Sequence, residues 1–197
     1  MKLIFATNNS HKVEEIKAFV GNKFEILSLK EADIDIEIPE PFDTLEENAS
    51  VKSRTIYNLT GTSCFSEDTG LEVDALNGEP GVKSARYAGE GKSFQQNIEK
   101  LLQILKGKHQ RKARFRAAIS LIIEDKETLF EGICDGKIIE EPRGEQGFGY
   151  DPVFVPDGES RSFAEMSIEE KSKFNHRTKA AAKLVAFLQT LKTTPPN

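Results

Sequence analysis

The 197-residue chain has only two cysteines, Cys64 and Cys134, and they lack metal-ligand spacing. Both sit in apolar surroundings, Ser63-Cys64-Phe65 and Ile133-Cys134-Asp135, so they read as reduced, buried thiols of a cytoplasmic protein rather than a disulfide framework. Long apolar runs are missing as well. The longest, Ala117 to Ile123, contains Ser120 and falls far short of the roughly 18 residues a membrane helix needs. At the amino terminus only Leu3-Ile4-Phe5-Ala6 is continuously apolar, too short for a secretory core, so the protein is expected to stay in the cytoplasm. Positive charge is in deficit, 27 Lys and Arg against 32 Asp and Glu, for a net charge of −5. That balance argues against a surface built to grip a nucleic-acid backbone or an anionic membrane, so any polyphosphate must be met locally. With 14 Gly and 8 Pro, breakers are at ordinary levels, and 38% hydrophobic residues with 13 Phe suffice for a core. One two-lobed domain over 1–192 is expected, with 193–197 as a frayed tail.

Lys2 to Ala6 reads as a buried strand, Thr7 to Lys12 as a polar turn, and Val13, Ile16, Phe19 and Val20 as the apolar face of a helix. Strands are expected over Phe24 to Leu29 and over Ile34 to Ile38, where Ile alternates with acids before Pro39 and Pro41. Thr44 with Glu47 has the spacing of a capping box that opens a helix ending near Gly61. Thr62 to Ser66 should be a strand that ends in Glu67-Asp68-Thr69-Gly70. Ser93 to Gln96 opens a helix carrying Ile98, Leu101, Leu102 and Leu105. Ala113 to Ile123 pairs with Thr128 to Cys134 through a polar link at Glu124 to Glu127. A Gly-rich turn over Gly144 to Gly149, a short helix near Phe163 to Lys171 and a long one from Asn175 to Leu191 complete the chain. The fold class is α/β: a two-lobed, mixed, twisted sheet flanked by helices, with the site expected in a central nucleotide-binding cleft.

Several segments carry chemistry. Thr7-Asn8-Asn9-Ser10-His11-Lys12 joins a buried strand to a helix start, where unpaired N–H groups, the helix dipole and an ammonium make a seat for phosphate; Asn9 or Ser10 could equally serve only as the helix cap. Glu67 and Asp68 at a strand end imply a cation or simply an exposed acidic turn, and Mg²⁺ is the hard ion that polyphosphate chemistry usually wants. Glu40 and Glu37 are candidates to complete its shell. Because neighbouring strand residues face opposite ways, Glu67 and Asp68 need not reach the same ion. Phe148-Gly149-Tyr150-Asp151 combines aromatic faces with a carboxylate, suited to a purine ring or to a packed turn. Lys171, His176 and Arg177 together read as a clamp for a base or a phosphate. Lys52 is a possible phosphate contact and Arg54 a solvated charge on the same helix.

The ordered set Phe5-Ala6-Thr7-Asn8-Asn9-Ser10-His11-Lys12, Glu47-Asn48-Ala49, Glu67-Asp68-Thr69-Gly70-Leu71, Pro80-Gly81-Val82-Lys83-Ser84-Ala85-Arg86-Tyr87, Phe148-Gly149-Tyr150-Asp151-Pro152 and Glu169-Glu170-Lys171-Ser172 with His176-Arg177 closely resembles the Ham1/inosine triphosphatase family of noncanonical purine nucleoside triphosphate pyrophosphatases. The likeness spans about residues 1–190. It implies cleavage of ITP, dITP or XTP to the monophosphate and pyrophosphate with Mg²⁺, in a homodimer. It also implies that Thr7 to Lys12 hold phosphates, that Asp68 is both general base and metal ligand, and that Glu40 is a further metal ligand; Glu67 remains a metal-ligand candidate from its place beside Asp68. Thr69, Phe148, Gly149, Tyr150, Asp151, Lys171, His176 and Arg177 would bind substrate. Two positions depart from the family: Asn8 stands where glycine is usual, and Glu67 where a second aspartate is common. The competing readings are a Maf-like pyrophosphatase acting on pyrimidine or modified nucleotides, a nucleotide sensor without turnover, and an RNA-binding protein using the basic stretch Lys106 to Arg116.

Overall fold

The computed structural model describes residues 2–91 and 93–193, excepting the side chains of 192 and 193. The tail expected over 193–197 lies outside the described residues, apart from the backbone of Thr193. In chain order the elements are β1 (Lys2–Phe5), α1 (Ser10–Val20), β2 (Glu25–Ser28), α2 (Leu45–Thr60), β3 (Cys64–Val73), β4 (Pro80–Gly81), α3 (Phe94–Ile104), β5 (Lys112–Ile123), β6 (Lys126–Ile138), β7 (Phe154–Pro156), α4 (Ile168–Ser172) and α5 (His176–Thr193). The strands form a seven-stranded sheet of order β2-β1-β3-β5-β6-β7, with β4 paired to β3. β1 runs parallel to β2 and β3, whereas β3–β4 and β6–β7 are antiparallel, so the sheet is mixed as the sequence predicts.

The chain divides into two compact units, and β3, β5 and β6 contribute residues to both. The first comprises 1–68, 117–132 and 177–197. Here β1 reads as an unbroken apolar run because both of its faces are covered. Leu3 and Phe5 pack with Ile16 and Val20 of α1 and with Ala180, Leu184 and Leu188 of α5. Ile4 and Ala6 face Ile56 of α2 and Cys64. In register, Phe5 stands beside Phe65, and their rings stack at 4.4 Å. The second unit, 69–116 and 133–176, gathers Leu71 and Val73 of β3 with Ile98 and Leu101 of α3, Leu105 just beyond it, and Phe115, Phe154 and Phe163. No described helix is long and apolar enough to cross a membrane. Both cysteines are buried, and burial pushes the Cys64 thiol up to about 12.

Four expectations need correction. Ile34 to Ile38 forms no strand: the three isoleucines pack on the Ile4–Ile56 cluster, so their alternation records one-sided burial without a pairing neighbour. β3 does not stop at Ser66 but continues through Glu67-Asp68-Thr69-Gly70 to Val73, so the acids lie inside a strand. The β5–β6 link is shorter than expected, with Glu124 and Asp125 both at positive φ as a two-residue hairpin turn demands. The helix near Phe163 to Lys171 is instead a 3-10 turn (Phe163–Glu165) and α4, separated because Ser167 caps the latter in its own capping box. β7 was not expected from the sequence. Thr44 accepts from Glu47 N, one half of the expected capping box, with the Glu47 carboxylate on the Thr44 hydroxyl instead of its amide; Ser93 with Gln96, expected only as a helix start, forms a complete box.

In the second unit Gly70 makes room for the β3–β4 pairing, since a Cβ there would lie 2.6 Å from the Gly81 carbonyl oxygen. Gly70→Ala should therefore destabilise the fold by about 1–3 kcal/mol through backbone displacement. Urea unfolding checks this, and an unchanged midpoint would show that β4 yields without cost.

Candidate active site

In the first unit the chain leaves β1 at Phe5, and the Ala6 amide donates to the Phe65 carbonyl at 2.7 Å, which fixes where the polar turn begins. Asn9 caps α1: its side-chain oxygen accepts from Lys12 N at 3.3 Å, and Thr7 Oγ1 accepts from Asn9 N at 3.2 Å. The cap reading and the phosphate reading coexist, because a capped helix still presents first-turn N–H groups outward. Asn8 is exposed, its Nδ2 donating to the Ile36 carbonyl at 2.9 Å; Ser10 and His11 are also exposed. A groove of about 660 Å³ opens along this turn, lined by Thr7, Asn8, Ser10, Glu14 and Ser28 among others.

Two lysines converge on one main-chain oxygen. Lys12 Nζ donates to the Glu67 carbonyl at 3.4 Å and Lys52 Nζ donates to the same oxygen at 2.9 Å. Lys52 projects from the buried face of α2 and also donates to Asp68 Oδ1 at 3.0 Å and to Glu40. Burial opposes its charge, yet Asp68 and Glu40 outweigh that and hold its pKa above the ordinary value. For Lys12, burial dominates, and with Lys52 and Arg177 nearby its pKa falls despite Glu67. Burial likewise raises the Asp68 carboxyl, against the pull of Lys52 and Lys12. Glu40 is also disfavoured by burial, but the charge and hydrogen bond of Lys52 prevail and hold its carboxyl low.

Strand alternation sends Glu67 the other way from Asp68. Its carboxylate, wholly buried, accepts from Arg177 Nε at 2.7 Å and from a second Arg177 nitrogen at 2.9 Å. The remaining terminal nitrogen of Arg177 donates to Glu15, itself buried on α1. Burial opposes the guanidinium charge, and the two glutamates overcome it, raising its pKa further.

The second unit holds a separate set. Asp151 Oδ2 accepts from Lys171 Nζ at 2.6 Å and from the Phe148 amide at 2.9 Å, which closes the Phe148–Asp151 turn. Gly147, at φ +74°, is required beside it: a Cβ there would collide with that same oxygen. The Lys171 ammonium lies 5.1 Å from the Phe148 ring centroid and 5.3 Å from that of Phe163. Tyr150 is buried and donates to the Ser84 carbonyl at 2.8 Å. The His176 ring stacks on Phe115 at 4.7 Å, and Thr69 is half-buried in β3.

The structure thus gathers Lys12, Lys52, Glu40 and Asp68 in one unit, and Phe148, Asp151 and Lys171 in the other. Within the first unit Arg177 and Glu67 neutralise each other in the interior. Glu37 is exposed. Among the described residues no cluster of three or more His, Cys, Asp or Glu side chains could hold a metal. Sequence reasoning missed Glu15, which looks like any acid on an amphipathic helix, and Ser84, whose carbonyl rather than its hydroxyl receives Tyr150.

A sequence model of the Ham1 family matches residues 3–187. The dITP/XTP pyrophosphatase of Christiangramia forsetii is 50% identical over 188 residues, covering 95% of this chain and 99% of that protein. Among solved structures, the Staphylococcus aureus Ham1 protein superposes with a TM-score of 0.87 at 38% identity, covering 96% of this chain and 99% of that one. A HAM1 protein from Coxiella burnetii gives 0.88 at 32%, with the same coverage. Fold, motif order and near-complete alignment agree, and the chain belongs to the Ham1 family.

Proposed function

We propose that this protein hydrolyses noncanonical purine nucleoside triphosphates, of the ITP, dITP and XTP kind, to the monophosphate and pyrophosphate. The observation that carries the reading is the pair of lysines, Lys12 and Lys52, flanking a buried Asp68 beside the start of α1. The pyrophosphatase relatives support it.

Within the first unit, Lys12, Lys52 and the first turn of α1 would bind the triphosphate, the ammonium groups exchanging their present acceptors for phosphoryl oxygens. A water attacks the α-phosphorus; its oxygen–phosphorus bond forms as the bond to the α–β bridging oxygen breaks, and pyrophosphate departs. Asp68 Oδ accepts the water's proton, a role its raised basicity favours. The lysines stabilise charge growing on the leaving group.

Mg²⁺ fits this site in a limited form. Glu40 and Asp68 both reach Lys52, and two carboxylates suffice for an ion that takes most of its shell from substrate and water. Glu67 does not fit, since both its oxygens are on Arg177. Glu40 and Asp68 are the residues that would hold Mg²⁺, which when bound supplies Lewis acidity to the phosphoryl oxygens and the water.

In the second unit Phe148 offers a ring face, and Lys171 a donor, to a purine. Hypoxanthine and xanthine present a 6-oxo acceptor where adenine presents an amino donor, so the buried ammonium can donate to the former and meets only another donor in the latter. The implied homodimer and cytoplasmic setting belong to this proposal; light scattering and fractionation test them.

The decisive assay is ITP hydrolysis with and without Mg²⁺, resolving pyrophosphate from orthophosphate. Mg²⁺-dependent release of pyrophosphate, with ATP turned over far more slowly, is expected. Release of orthophosphate alone, or equal rates on ATP and ITP, would overturn the cleavage position or the base recognition respectively.

A further inference from the structure

The buried ionic cluster of the first unit has a member set the catalytic reading does not use. Arg177 is 1% exposed, and each of its three side-chain nitrogens donates to a carboxylate: two to Glu67 and one to Glu15. Glu67 in turn lies at the point where the two lysines meet. Its carbonyl accepts from both, and its Oε1 is 3.5 Å from Lys12 Nζ.

We propose that Arg177 and Glu67 are positioning residues, a bidentate pair that sets Lys12 and Lys52 for phosphate, rather than a base contact and a metal ligand. The inference rests on the pyrophosphatase reading above and adds to it.

The physical reason is competition for Lys12. A buried carboxylate 3.5 Å from an ammonium will close on it unless a stronger partner holds it back. The planar guanidinium fork takes both Glu67 oxygens at once, which a single ammonium cannot match. Arg177 is anchored independently by Glu15 on α1, the helix that carries Lys12. One arginine thus ties α5 to β3 and α1, and fixes the β3 carbonyl on which both lysines rest. With this restraint in place Lys12 keeps a long, weak contact that phosphate can replace; with the arginine weakened Lys12 is taken up by Glu67, and with the carboxylate gone the β3 carbonyl loses its anchor and both lysines lose their seat.

Inorganic tripolyphosphate is the probe, because it has phosphates and no base. Its affinity for the whole protein is measured by calorimetry in wild type, Glu67→Gln and Arg177→Lys, alongside kcat/KM for ITP and ATP. Glu67→Gln removes a negative charge, so bulk electrostatics alone would strengthen tripolyphosphate binding. The positioning role predicts the opposite sign, since an amide offers one acceptor where the fork needs two. Both variants should weaken tripolyphosphate by about 10- to 100-fold, and slow ITP and ATP by a common factor that leaves their ratio intact.

Unchanged or tighter tripolyphosphate binding in either variant overturns the proposal, and a collapsed ITP-to-ATP ratio in Arg177→Lys would assign that residue to the base instead. An altered Mg²⁺ half-saturation with intact tripolyphosphate affinity in Glu67→Gln would make Glu67 a metal ligand. Should Arg177→Lys fail to fold, the charge-free set Arg177→Met, Glu67→Met and Glu15→Met replaces it, and must show the same loss. Wild type that ignores tripolyphosphate would sink the phosphate-site reading itself, a result distinct from unaffected variants.

Discussion

Asp68→Asn is expected to lower kcat for inosine triphosphate by about 10²- to 10⁴-fold, the usual worth of a positioned general base. Nucleotide affinity measured without Mg²⁺ should stay within about threefold, because proton transfer is exercised in the transition state and not in binding. Asparagine keeps the side-chain shape and can still accept from Lys52, which now donates to Asp68 at 3.0 Å. What it cannot do is take a proton. Burial already raises the Asp68 carboxyl, moving it toward the basicity a proton acceptor needs, and Lys52 restrains that shift. Steady-state rates paired with calorimetric binding of substrate to the slow variant separate the two quantities. A kcat within about tenfold of wild type, roughly 1.4 kcal/mol, would remove Asp68 from the base role.

Lys171→Met should destabilise the protein by about 3–5 kcal/mol, because it strands the Asp151 carboxylate in the interior without its cation. The side chains of Lys171 and Asp151 are 5% and 4% exposed and meet at 2.6 Å. For a chain of this length the loss corresponds to a fall in Tm of roughly 6–20 °C. Adding Asp151→Asn removes the stranded charge while keeping an acceptor for the Phe148 amide, so the double variant should recover most of the stability. It should not recover turnover of ITP, since the donor proposed for the purine is gone. Thermal unfolding followed by circular dichroism, with activity measured on the same samples, reads both effects. A single variant whose Tm moves by less than about 4 °C would show that water reaches Asp151 and takes over from the lysine.

The elements legible in the sequence were those with local signals. Thr44, Ser93 and Gly61 mark helix ends through caps and a left-handed residue, and each stands where its type suggests. β1 and the apolar half of β5 declare themselves as short buried runs. Ile34 to Ile38 shows the limit of such signals: alternation reports which side is buried, whereas a strand needs a neighbour with free hydrogen-bonding groups. β7 is three residues long and carries too little pattern to register. For the candidate site, motif spacing pointed to Lys12, Asp68, Asp151 and Lys171. It could not assign partners, since Lys52 meets Asp68 across 16 positions and Arg177 meets Glu67 across 110.

Residue types and their order were enough to identify the family, the α/β class and the presence of two lysines, two acids and an aromatic turn suited to a nucleotide. Tertiary structure alone decided which charges face each other. In a strand, adjacent side chains diverge, so Glu67 and Asp68, neighbours in the chain, enter different environments: one locked to Arg177, the other beside Lys52. Charges in the interior must be matched at hydrogen-bonding distance, and the match is made between elements that only folding brings together.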